Sequence, residues 1–95
     1  MTAAQKLVGA WSTYTCKITG EEKKVFEEAT SQLMGVKYEP VAVSKQVVSG
    51  MNYEFLANAE LIVEPIEPAH YPVIMTIYQP LKGKPVIQHI QRLKQ

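Results

Sequence analysis

Cysteine is nearly absent from this chain, since Cys16 is the single one among 95 residues. One thiol cannot close an intrachain disulfide, so the small disulfide-stapled folds of secreted proteins are excluded and stability must come from a buried core. We expect Cys16 to be a half-buried small hydrophobe rather than a reactive thiol. The low cysteine content also favours a reducing, cytoplasmic location.

An excess of either charge is missing as well. Ten Lys and Arg residues face nine Asp and Glu residues, which gives a formal net charge of +1. This balance produces no overall field that would attract nucleic acid or an anionic membrane. No apolar run approaches the roughly 20 residues of a membrane-spanning helix, and the pair Leu7-Val8 is too short for the core of a signal peptide. We therefore expect a cytoplasmic protein with no nucleic-acid or membrane partner.

The sequence shows no signature of an enzyme. Its serines are not in a nucleophile-elbow pattern, and it has no glycine-rich phosphate loop. His70 and His89 have no Cys, Asp or Glu at metal-ligand spacing. Glu64 and Glu67, on either side of Pro65, are interpreted as solvated loop carboxylates. We expect no catalytic activity, no cofactor and no metal site.

A strong two-residue periodicity is present instead. Apolar residues occupy the odd-numbered positions from 51 to 63 and alternate with mostly polar ones, which predicts a strand with one buried face: Met51, Tyr53, Phe55, Ala57, Ala59, Leu61 and Val63. Such a strand is typical of an antiparallel sheet that is covered on one side. With 46% hydrophobic residues, the chain is expected to fold as a single domain, residues 1–95.

One segment can form the covering helix. Thr19 and Glu22 have the spacing of a capping box, and Gly35 offers a stop. Between them, apolar residues recur on one side of a helix of about four turns: Val25, Phe26, Ala29 and Leu33.

The remaining β-rich segments predict four more strands, at residues 11–18, 36–48, 71–79 and 86–93. The apolar phase changes at Pro40, which predicts a bulge there. Ser49-Gly50 supplies a tight turn. The expected fold class is α+β, with one helix packed on a five-stranded antiparallel sheet.

Alternating strand direction brings distant segments together. The turns at Ser49-Gly50 and Lys82-Gly83 must lie at the same end of an antiparallel meander. If the first strand pairs with residues 36–48, Gly9 joins them. Three segments that are far apart in sequence are thus expected to form one edge.

That edge carries a motif. Gln46-Val47-Val48-Ser49-Gly50 fits Gln-x-Val-x-Gly, and Met51-Asn52-Tyr53-x-Phe55 follows at once. With these residues, and with a helix before them, the sequence resembles the cystatin superfamily of papain-like cysteine protease inhibitors, in its disulfide-free stefin type. Leu7-Val8-Gly9-Ala10-Trp11 looks like the N-terminal trunk of that family. The segment Tyr78–Pro85 looks like its second hairpin, with Leu81 where many members have tryptophan.

The resemblance implies a cystatin-like fold and reversible, non-covalent inhibition by occlusion of the protease cleft. It assigns a central wedge to Gln46, Val47, Val48, Ser49 and Gly50. It assigns a second contact to Pro80 and Leu81, and a trunk to Leu7, Val8, Gly9 and Ala10. The partner it implies is a papain-like cysteine protease.

A different class of function is the alternative. A domain with the same shape could act as an interaction or ligand-binding module through its open sheet face or edge strands. We expect a monomer, and a domain-swapped dimer hinged at Ser49-Gly50 is the alternative state. Swapping would straighten that loop and abolish the wedge.

Overall fold

The computed structural model describes residues 9–62 and 69–93, and this part of the chain forms one helix and four strands. The elements are, in order, α1 (Gly20–Thr30), β1 (Val36–Val48), β2 (Gly50–Leu61), β3 (His70–Gln79) and β4 (Val86–Arg92). All four strands pair antiparallel in the order β1-β2-β3-β4. The architecture is α+β, with the helix packed on one face of the sheet.

The core lies between α1 and the odd-numbered face of β2. Tyr53, Phe55, Ala57 and Ala59 are buried, as the two-residue periodicity predicts. Met51 and Leu61, near the two ends of the strand, are only half-buried. β3 adds buried residues to the same layer, Val73, Met75 and Ile77. Val63, the last residue of the predicted alternation, lies outside the described residues.

Helix α1 begins where the sequence predicts and ends earlier. The Thr19 hydroxyl accepts from the Glu22 amide at 3.1 Å, and the Glu22 carboxylate accepts from the Thr19 amide at 2.9 Å, which confirms the capping box. The prediction of four turns is wrong, because the helix has 11 residues. The hydroxyls of Thr30 and Ser31 donate to the carbonyls of Phe26 and Glu28, and these bonds compete with another helical turn.

Phe26 attaches the helix to the sheet. Its ring meets that of Phe55 edge to face, with centroids 4.8 Å apart. Both side chains are fully buried, and Val25 packs beside them. Leu33, which the predicted stripe includes, lies past the helix end and is exposed, because the chain has left the helical path before reaching it.

The expectation of a fifth strand at residues 11–18 is wrong. This segment follows the β1 edge through Gly9, Ser12 and Thr15, whose amides donate to the carbonyls of Val47, Lys45 and Val43. Successive hydrogen bonds are therefore three residues apart in this segment but two residues apart in β1. A regular antiparallel ladder has the same spacing in both strands. The Ser12 hydroxyl completes the contact by accepting from the Lys45 amide at 2.9 Å. Only Thr15 forms a bridge, with Val43, and no fifth strand is found in the described ranges.

The predicted bulge in β1 is confirmed. The pairing with β2 shifts between Pro40 and Ala42, so Val41 is the extra residue and its side chain is exposed. Val43 returns to the buried face opposite Phe55. The shift restores the apolar face across the change of phase.

Two further observations concern the surface. Cys16 is exposed, so the expectation of a half-buried residue is wrong: the irregular segment that carries it lies outside the sheet, where no layer covers it.

In the part of the chain that the structure describes, the helix is too short and too polar to cross a membrane.

Candidate functional site

The first hairpin ends in a tight loop at one end of the sheet. The pairing runs up to Val48 opposite Gly50, so the chain reverses at Ser49. Gly50 has φ +102°, a left-handed conformation that side chains with a Cβ rarely adopt. Val47 is 62% exposed at the tip, Ser49 is exposed and Val48 is half-buried. The loop is thus an uncharged projection with an apolar flank.

The second hairpin reaches the same end of the sheet. Its loop, residues 80–85, joins β3 to β4, and Gly83 has φ +119°. The side-chain NH₂ group of Gln79 donates to the carbonyls of Pro80 and Gly83, at 3.1 and 2.9 Å, and so links the two ends of the loop. Leu81 is 82% exposed beside the half-buried Pro80.

The two hairpins touch each other. A Cβ on Gly50 would collide with the Gln79 carbonyl oxygen and would lie 3.1 Å from the Pro80 Cα atom. The Tyr78 hydroxyl donates to the Ser49 carbonyl, so a side chain from β3 is hydrogen-bonded to the first loop. Glycine at position 50 is therefore required both by the backbone conformation and by the neighbouring hairpin.

The N-terminal segment completes the group. The Gly9 amide donates to the Val47 carbonyl at 2.8 Å, and the Gln46 side chain donates to the Gly9 carbonyl at 3.1 Å. A Cβ on Gly9 would lie 3.3 Å from the Val47 carbonyl oxygen, which is a tight contact. Gly9 and Ala10 are exposed.

The structure thus brings together three of the predicted segments. We call this surface the rim, and it consists of Gly9, Ala10, Gln46, Val47, Val48, Ser49, Gly50, Pro80 and Leu81. Leu7 and Val8, which the resemblance assigns to the trunk, lie outside the described residues. The contacts support the geometric prediction of one common edge, and they do not by themselves identify a partner.

Two residues behind the rim were missed at the level of sequence. Asn52 donates to the Gln46 carboxamide oxygen at 2.9 Å, and Tyr78 donates to Ser49. Asn52 and Gln46 lie three residues to either side of Ser49, so a hairpin centred there makes them cross-strand partners. That symmetry was a usable signal for Asn52, while Tyr78 comes from a strand distant in sequence.

The described surface offers little for bound groups elsewhere. No cluster of three or more His, Cys, Asp or Glu residues suited to a metal ion occurs in residues 9–62 and 69–93. A groove of about 630 Å³ runs between the end of α1 and the start of β4, with Leu33, Pro85 and Val86 among its lining residues. Its walls carry both Lys and Glu side chains and no concentration of one charge. Glu64 and Glu67 lie outside the described residues.

Comparison with known proteins adds no assignment. No family model, curated protein or solved structure matches this chain. The fold and the rim therefore carry whatever can be inferred about function.

Proposed function

We propose that this protein is a reversible, non-covalent inhibitor of papain-like cysteine proteases, with a cystatin-like fold, and that the rim occludes the active-site cleft. One observation carries the proposal: three segments distant in sequence are bonded to one another at one end of the sheet. The motif Gln46–Gly50 forms the middle of that group. We further propose that the protein acts in the cytoplasm, in accord with its single cysteine, and as a monomer.

The physical properties of the rim fit a wedge. The first loop is uncharged and narrow, and Val47 offers apolar area that a cleft can cover. Leu81 supplies a second apolar contact on the neighbouring loop. The hydrogen bonds from Tyr78 and Gln79 hold both loops in place, so docking costs little conformational entropy.

Three contact segments can cover a surface of ordinary size for protease–inhibitor complexes, about 1,600 Å² in total. The first loop and Leu81 fill the cleft, while Leu7 and Val8 extend from Gly9 into the substrate subsites. The proposed mechanism is steric: no bond is made or broken, and the catalytic thiol of the enzyme is covered by the loops.

Titration against papain tests the proposal. We expect the parent chain to inhibit at micromolar concentration or below, and Val47→Asp to weaken inhibition by about 100-fold or more, because a carboxylate would be buried in the interface without a partner. Val48→Asp is expected to act in the same direction. Ile62→Asp is the matched control, since Ile62 is as exposed as Val47, 62% in both cases, and lies just past the end of β2 that is remote from the first loop.

Absence of inhibition by the folded parent chain would overturn the proposal. Size-exclusion chromatography then separates two explanations. A stable dimer without inhibitory activity would favour the interaction module, because a swap at Ser49-Gly50 removes the loop from the rim. A non-inhibiting monomer would contradict the wedge itself.

A further inference from the structure

The exposed residue Gly9 is hydrogen-bonded at both its backbone amide and its backbone carbonyl. Its amide donates to the Val47 carbonyl at 2.8 Å. Its carbonyl accepts from the Gln46 side chain at 3.1 Å, and Gln46 in turn accepts from Asn52 at 2.9 Å. The main chain of β1 thus holds the Gly9 amide, and a pair of side chains from β1 and β2 holds its carbonyl.

The direction of these hydrogen bonds is fixed by chemistry. The Gly9 carbonyl can only accept, so Gln46 must turn its NH₂ group toward Gly9. The Gln46 oxygen then faces Asn52, which must donate. The antiparallel register places Gln46 directly opposite Asn52, so both side chains lie on the same face of the sheet. By donating to that oxygen, Asn52 holds the Gln46 amide in the orientation in which its NH₂ group faces Gly9.

We propose that Asn52 is a positioning residue of the rim, which acts through Gln46 to fix Gly9 before any partner binds. Its effect on protease affinity rests on the proposed function, whereas its effect on Gly9 is a property of the free protein. Asn52 itself is not among the residues assigned to the protease contact.

The physical reason is the mobility of glycine. A glycine without fixed partners samples more of φ/ψ space than any other residue, and ordering it on binding costs free energy. Gly9 is exposed and touches β1 through Val47 and Gln46. Orienting the Gln46 amide in the free protein spares part of that cost, because Leu7 and Val8 then start from a fixed residue.

Amide hydrogen exchange measured by NMR on the full chain tests the first part without a protease. In Asn52→Ala, Gln46 loses the partner that orients it, and its bond to the Gly9 carbonyl weakens. The backbone of Gly9 is then held less firmly, so exchange of its amide, which donates to Val47, is expected to accelerate about three- to tenfold, a change on the scale of one hydrogen bond. Asn52→Asp should accelerate it further, since a carboxylate only accepts and would draw the Gln46 NH₂ group away from Gly9. Exchange at Thr15 should not change, because its bonds to Val43 lie farther along the edge.

Asn58→Ala is the matched control. Asn58 lies on the same face of β2, is exposed, and is six residues from Asn52 toward the opposite end of the sheet. It should leave the exchange rates of both Gly9 and Thr15 unchanged. Equal Gly9 exchange in Asn52→Ala and Asn58→Ala would overturn the positioning role.

Inhibition of papain tests the second part through a double-mutant cycle. Asn52→Ala should weaken inhibition by about three- to tenfold in the parent chain. In a Val8→Ala background the same change should weaken inhibition by less, because both substitutions act on the contact between the trunk and the protease. Strictly additive losses would contradict action through the trunk. If the parent does not inhibit papain while Gly9 exchange responds as expected, the positioning role is supported and the inhibitor proposal is overturned.

Discussion

The ammonium nitrogen of Lys45 lies 2.6 Å from the Oε2 atom of Glu22, so the first turn of α1 is bonded to the strand that carries the first loop. The Glu22 side chain is almost fully buried, while that of Lys45 is 40% exposed. The same carboxylate caps the helix through the Thr19 amide. One side chain therefore joins the helix start to β1, one residue from Gln46.

Stability is expected to depend on the protonation of Glu22. Burial raises the pKa of this carboxyl. The hydrogen bonds from Lys45 and Thr19, together with the charge of Lys45, lower it by more, so the pKa lies below its usual 4.5. A lowered pKa means that the pair contributes stability above pH 4.5, and that this contribution is lost as pH falls through the pKa of the folded state. Thermal unfolding between pH 7 and pH 3 should show this loss.

Glu22→Gln tests the same pair at neutral pH. Glutamine can still accept from Thr19, but it cannot neutralise Lys45, so we expect a loss of about 1–3 kcal/mol of unfolding free energy and a weaker dependence on acid pH. Glu21→Gln is the control, because Glu21 is exposed on the same helical turn. An acid transition unchanged by Glu22→Gln would contradict the assignment.

Gly50 is expected to be the least replaceable residue of the first loop. Gly50→Ala would impose a positive φ on alanine and push its Cβ against the Gln79 carbonyl. Gly35→Ala separates the two effects, since Gly35 has φ +84° but open space around it. We expect a loss of about 1 kcal/mol at Gly35 from the backbone alone, and about 2–4 kcal/mol at Gly50, measured by urea unfolding. Equal losses would show that the hairpins do not press on each other.

The parts of the fold that were predictable from sequence depend on local chemistry. The capping box of Thr19 and Glu22 needs residues three apart, and the buried face of β2 follows from strict alternation. The bulge at Pro40 followed from a change of phase within one strand. The common edge of the two turns followed from strand direction.

The parts that were not predictable depend on contacts between distant residues. Composition favours a strand at residues 11–18. The hydrogen bonds of this segment to β1 are unevenly spaced, and two of them join Ser12 to Ser44 and Lys45, more than 30 residues away. The end of α1 depends on whether Thr30 and Ser31 bond to helical carbonyls or to solvent. The hydrogen bond from Tyr78 to Ser49 joins the two hairpins through residues that are 29 positions apart in sequence.

Tyr78→Phe is expected to loosen the rim without disturbing the core. It removes the hydroxyl that donates to the Ser49 carbonyl, so we expect a loss of about 0.5–1.5 kcal/mol in stability and weaker inhibition of papain by a few-fold. Tyr71→Phe is the control on the same strand. Arg92 lies 4.2 Å from the centre of the Tyr71 ring, and this contact does not need the hydroxyl. Identical inhibition by the two variants would contradict a role for Tyr78 in holding the first loop.

Leu81 should separate binding from stability. Its side chain is 82% exposed, so Leu81→Ala removes almost no buried area and should change the unfolding free energy by less than about 0.5 kcal/mol. In the proposed complex the same side chain is covered by the protease, and its truncation should weaken inhibition by about tenfold, because burying a leucine contributes about 1.5–3 kcal/mol. Met34→Ala is the control, since Met34 is 92% exposed between α1 and β1 and lies outside the rim. Inhibition constants of both variants against papain test whether Leu81 contacts the protease. Equal constants would remove the second hairpin from the contact and leave the first loop and the trunk to occlude the cleft alone.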